Sequence, residues 1–122
     1  MKPKIIKSDS SAEYYTGERC FISELSNSTD DPEMSIARAR VEPGVSTQWH
    51  SLAETTERYV ITQGVGEVFI GDMQRRQVIA GDVVLIPPGC QQRITTTGEE
   101  DLVFLASCTP RCSPENYVSR PS

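Results

Sequence analysis

The chain holds a single histidine, His50, and a glutamate, Glu57, seven residues beyond it. An imidazole and a carboxylate brought together support two kinds of chemistry. They can hold a divalent cation, or they can pass protons to and from a bound substrate. A third polar side chain, Gln92, would add an amide oxygen, a hard neutral donor much weaker than imidazole. With one histidine in all, no three-imidazole metal site can form within one copy of the chain. Four cysteines, Cys20, Cys90, Cys108 and Cys112, offer thiols, but the last two lack C-x-x-C spacing. They read as free thiols in a reducing compartment, packed as small side chains.

The bulk composition limits the partners. The chain has 122 residues, 37% hydrophobic and 24% charged, with a formal net charge of -5. That length suits one domain spanning 1–122, with a core at about 20–106, an N-terminal arm at 1–19 and an irregular tail at 107–122. An acidic balance argues against a nucleic-acid partner, which would need clustered Lys and Arg, and against an anionic membrane surface. The opening Met1-Lys2-Pro3-Lys4-Ile5-Ile6-Lys7 lacks the apolar run of a signal peptide, and no stretch is long enough to span a bilayer. The cytosol is therefore the expected location.

Turn residues interrupt the chain at short intervals, as in Glu42-Pro43-Gly44, Gln63-Gly64, Gly71-Asp72, Gly81-Asp82 and Pro87-Pro88-Gly89. Between them lie runs rich in β-branched and aromatic residues: Cys20–Leu25, Met34–Val41, Arg58–Thr62, Val65–Ile70, Gln77–Ile79, Val83–Ile86, Gln92–Thr96 and Leu102–Ala106. Such spacing predicts an all-β sandwich or barrel. Ser8–Thr16 and Asn27–Glu33 could each hold a helical turn, and the tail should pack through Tyr117 and Val118. Period two places His50 and Leu52 on one face of a strand, Glu57, Tyr59 and Ile61 on one face of another, and Gln92, Ile94 and Thr96 on one face of a third.

Two glycine-anchored stretches carry a family resemblance. In the first, Gly44, His50, Glu57 and Gly64 fall at fixed offsets; in the second, Gly81, Pro87 and Gly89 do. The pattern resembles the two motifs of the cupin superfamily, with Val65–Ala80 between them. The resemblance implies a double-stranded β-helix barrel in which His50, Glu57 and Gln92 point into one pocket, with Leu52, Tyr59 and Ile94 beside them. Leu52 occupies what is a ligand position in metal-binding cupins, which typically use three imidazoles and a carboxylate.

Three readings of the pair stay open: a weakly bound divalent metal (Zn, Mn, Ni or Fe) on His50, Glu57 and Gln92; a metal-free catalytic pair of His50 and Glu57; or a relic polar pair. Arg58 and Arg93 have the parity that places them outside the pocket, whereas Cys90 shares the parity of Gln92 and reads by default as a packed small residue, with a place near the rim as the alternative. Within the superfamily the chain looks like small bacterial cupins described as mannose-6-phosphate isomerase-like, which implies a homodimer. The expected function is binding of a small polar metabolite, by an isomerase, epimerase or lyase or by a non-catalytic sensing module.

Overall fold

The computed structural model describes residues 1–120; the last two residues of the expected tail, Pro121 and Ser122, lie outside them. Among the described residues eleven strands form: β1 (Tyr14–Tyr15), β2 (Phe21–Ser26), β3 (Ser35–Val41), β4 (His50–Leu52), β5 (Thr56–Gln63), β6 (Val65–Ile70), β7 (Arg76–Ile79), β8 (Val83–Ile86), β9 (Gln92–Thr96), β10 (Leu102–Thr109) and β11 (Tyr117–Ser119). They pair antiparallel in two sheets, ordered β1-β2-β3-β10-β5-β8 and β11-β4-β9-β6-β7. Helix is confined, among the described residues, to single 3-10 turns at Ser10–Ala12 and Pro114–Asn116. No helix among them is long and apolar enough to cross a membrane.

Alternation of side chains builds the core. In β5, Glu57, Tyr59 and Ile61 are buried while Arg58 and Val60 are more exposed; in β9, Gln92, Ile94 and Thr96 are buried. The inward residues Val41, Ile61, Ile86, Ile94 and Leu102 are almost wholly excluded from water. Each contributes on the order of 1.5–3 kcal/mol through burial. The pattern thus fixes which side chains can reach the interior.

Several boundaries differ from the sequence expectation. β5 begins at Thr56, which brings Glu57 inside the ladder opposite Ile86 and Cys108. β10 runs on to Thr109. The tail, expected to be irregular, contains β11, whose Tyr117 pairs with Leu52 and Ser119 with His50. Asn116 clamps the same region, its Nδ2 donating to the Ala53 carbonyl at 2.7 Å. The reason is backbone satisfaction: β4 would otherwise present unpaired amide and carbonyl groups on one side. Proline and serine hid that strand from a propensity reading. Of the two expected apolar anchors, Val118 is exposed and Tyr117 packs inward. Asn27–Glu33 forms turns in place of a helix.

Two motif glycines have different demands. Gly44 and Gly64 both take positive φ, +78° and +89°, but a Cβ on Gly64 would lie 2.6 Å from the Asp101 carbonyl oxygen, whereas at Gly44 nothing lies within 4 Å. Gly44→Ala should cost about 1 kcal/mol from backbone strain alone, and Gly64→Ala about 3 kcal/mol from strain plus collision. Denaturant unfolding of both variants checks this, and equal costs would contradict it.

Candidate functional site

A cavity of about 430 Å³ opens against the inner face of the larger sheet. Its apolar walls come from Ile22 on β2, Ala37 and Ala39 on β3, and Phe104 and Ala106 on β10. His50 and Leu52 reach it from β4, and Glu57 and Tyr59 from β5. The N-terminal arm adds Tyr14, Thr16 and Glu18, and the tail adds Cys112, Pro114 and Tyr117. Seven segments of the chain therefore share one chamber.

The imidazole is held in a defined state. His50 Nδ1 lies 2.8 Å from the Gln48 carbonyl oxygen. A carbonyl can only accept, so the proton sits on Nδ1 and, in the neutral ring, Nε2 is the basic nitrogen. The Tyr117 ring stacks on the imidazole at 5.0 Å between centroids and 21° between planes. Glu18 Oε2 stands 3.8 Å from Nδ1. Burial raises the Glu18 pKa, and the neighbouring His50 opposes that rise.

Glu57 is the more perturbed group. It is 9% exposed, and its Oε1 has no hydrogen-bond partner. Burial pushes its pKa up to about 7, against an ordinary 4.5. The Gln92 amide approaches without closing a well-aligned hydrogen bond and lowers it somewhat; the charge of Glu18 raises it further, and Tyr59 lowers it. Tyr59 donates its hydroxyl proton to Gln92 Oε1, and burial drives its own pKa well above 10.0. Near neutral pH, then, Glu57 can hold a proton and can also give one up.

The sequence-predicted residues divide into two groups. His50, Leu52, Glu57 and Tyr59 line the cavity, and Gln92 and Ile94 do not. Ile94 is a core residue, 1% exposed, and Gln92 is wholly buried, its amide oxygen already occupied by Tyr59. The donors do not fit a resident divalent ion. Among the described residues no three His, Cys, Asp or Glu side chains gather closely enough to hold one. Leu52 has no lone pair to give, and the Gln92 oxygen faces a donor. Of the expected metal set, Gln92 lies opposite His50 and beside Glu57 but has its oxygen engaged by Tyr59, which leaves His50 and Glu57 as the members with a free donor atom.

Cys90 is packed against the core, the default expected for it, while Cys20, Cys108 and Cys112 line the cavity as free thiols. The Cys108 and Cys112 thiols are neighbours, and their interaction raises the pKa of Cys108 and lowers that of Cys112. Arg58 donates to Thr109 Oγ1, and Arg93 lies over the Trp49 and Phe69 rings, both away from the cavity. Sequence reasoning missed Glu18, Tyr14, Thr16 and the two thiols of the tail side. Their only sequence signal was a short polar stretch before β2 and a Pro-rich one after β10.

Comparison with known proteins agrees with this architecture. The family model described as Cupin domain matches residues 37–108. Among solved structures, the chain is similar to an uncharacterized conserved protein with a double-stranded β-helix domain from Klebsiella pneumoniae, at 15% identity and a TM-score of 0.78, covering 98% of this chain and 100% of that one. It is similar to a predicted oxalate decarboxylase from Thermotoga maritima at 23% identity and a TM-score of 0.76, covering 88% and 99%. It is also similar to a Streptomyces nucleoside dehydratase at 14% identity and a TM-score of 0.78, covering 96% and 92%. At such identities these likenesses show the fold alone. No curated protein matches the chain in sequence.

The raised pKa of Glu57 has a stability consequence with a definite sign. Between pH 4.5 and about 7 the folded carboxyl keeps a proton that the unfolded one has lost. Folded protein then binds more protons than unfolded, so stability falls as pH rises through that window and the penalty is complete above it. Glu57→Gln carries no such penalty. Its stability relative to the native protein should improve by about 3 kcal/mol between about pH 4 and about pH 8, as read by urea unfolding at both. A pH-independent difference would contradict the assignment.

Proposed function

The chain belongs to the cupin domain family, and we propose that within it this protein is an acid–base catalyst acting on a small polar metabolite through its own side chains. The observation that carries this reading is Glu57: a buried carboxyl with a free oxygen and a pKa raised to about 7, opening into the same chamber as His50. A carboxylic acid that still holds its proton near neutral pH is a general acid, and the Nε2 of His50 is a general base. A proton donor and a proton acceptor in one cavity suit isomerisation, epimerisation or elimination beside a carbonyl or hydroxyl. In an elimination, His50 takes a carbon-bound proton as Glu57 gives its own to the departing hydroxyl, which leaves as water.

Tyr59 and Gln92 support Glu57 from behind, and Gln48 holds the His50 tautomer. The Streptomyces nucleoside dehydratase on a similar fold is a fold-level analogy for lyase chemistry and does not identify the substrate here. Glu57 is deep in the wall, so water reaches it only through the cavity, and the ligand is a small molecule rather than a polymer. Assembly as a homodimer is part of the same proposal. It is supported by the exposed apolar residues Val60, Val83 and Leu85 where β8 ends the larger sheet.

The test is deuterium incorporation into a metabolite panel incubated with the protein in heavy water and chelator, read by mass spectrometry. One member should exchange, and Glu57→Gln or His50→Gln should slow it by about 10²–10⁴-fold. Exchange that chelation abolishes and added metal restores would contradict the proposal. A panel member that stabilises the fold without exchanging would favour the non-catalytic sensing module.

A further inference from the structure

The lining of the cavity is lopsided in charge. Three carboxylates face it, Glu18, Glu24 and Glu57, and among the described residues no lysine or arginine does. The arginines of the strands nearby are engaged elsewhere: Arg40 binds Glu13 and Asp101, Arg38 lies beside Glu13, and Arg58 is on Thr109. None reaches the chamber, whose one basic side chain is His50, with Nδ1 3.8 Å from Glu18 Oε2. A buried carboxyl oxygen with no donor is a costly arrangement for an empty site, because the desolvation is not repaid. Glu57 Oε1 is such an atom, in a residue 9% exposed. The Tyr117 hydroxyl, also on the cavity wall, is likewise buried without a partner.

Resting on the acid–base reading of this cavity, we propose that its substrate is an organic ammonium compound. The cationic head sits against Glu18 and Glu24, and a hydroxyl or N–H further along the molecule reaches the Glu57 carboxyl group. Each alternative charge class fares worse. An anion, a sugar phosphate included, would face the carboxylates of Glu18 and Glu24 with no lysine or arginine to hold it. An inorganic divalent ion lacks a gathered third donor. A neutral molecule would satisfy the free oxygen but gain nothing from the charge. The body of the ligand meets Ile22, Phe104 and Ala106, and the Tyr14 ring in the same lining provides an aromatic surface for an ammonium.

The difference from a general effect of net charge lies in Glu18. Its side chain is 29% exposed, so it can meet solvent-borne cations while its carboxylate points at the chamber. Substituting it removes charge from the site, whereas an exposed glutamate such as Glu100, outside the lining, removes the same charge from the protein.

Calorimetric titration of the purified full chain with two isosteric sets tests this. One set is tyramine, tyrosol and para-hydroxyphenylacetate; the other is butylamine, butanol and butyrate. In at least one set the amine should bind at least about tenfold tighter than its alcohol, and the acid not at all. Glu18→Gln should reduce the amine to the affinity of the alcohol while leaving alcohol binding unchanged, and Glu100→Gln should leave the preference intact. If the amine outbinds its alcohol and acid in neither set, or if Glu100→Gln erases the preference as fully as Glu18→Gln, the ammonium proposal is overturned. Failure of the two readings is separable. Deuterium exchange into a neutral or anionic metabolite overturns the ammonium claim and leaves acid–base chemistry standing. Selective amine binding with a Glu57 that titrates normally does the reverse.

Discussion

A carboxyl group enclosed by the wall of a β-barrel, with no cation beside it, is the constraint on which the rest of the structure turns. Water removal favours the neutral form of Glu57, and neither Gln92 nor Tyr59 offsets that preference. A lysine or arginine in the same chamber would have restored the ionised form and fixed the group as a structural ion pair. Without one, the carboxyl sits at the balance point of its titration near neutral pH, where a proton donor is most useful. The same missing cation shapes what the chamber can bind.

The fold supplies this environment by convergence rather than by local geometry. Glu57 arrives on β5, held between β8 and β10, and His50 arrives at the start of β4 with its Nδ1 fixed by the Gln48 carbonyl. Neither would be enclosed by the two sheets alone. The arm closes one side through Glu18, with the Gln48 amide donating to the Glu18 carbonyl at 3.2 Å. The tail closes another by adding β11 to β4 and laying Tyr117 over the imidazole. Segments at both ends of the described chain thus determine the dielectric in which the pair works.

The all-β fold was legible from residue spacing, because period-two burial and the glycine positions are imposed by the backbone itself. The residues Glu57, Tyr59 and Ile61 alternate as a pleated strand requires, and Gly64 stands where only a residue without Cβ clears the Asp101 carbonyl. Half of the site was legible for the same reason: His50, Leu52, Glu57 and Tyr59 keep the parity of their strands. Gln92 and Ile94 share parity with one another and are buried, but parity does not say how deep the cavity reaches, and it stops short of both. Glu18 and Tyr117 were hidden for a different reason. Their placement depends on long-range closure of arm and tail, for which a short polar stretch and a proline-rich one carry no periodic signal.

The central claim concerns one proton on one carboxyl group. It is tested most directly by following the side-chain carboxyl carbon of Glu57 by NMR in uniformly carbon-13-labelled protein across the pH range, with Glu57→Gln to assign the resonance. A midpoint at about 7 is the result this account predicts. A midpoint at the ordinary carboxylate value of 4.5 would mean that solvent or an unseen counter-charge reaches the group, and the acid–base account would fall.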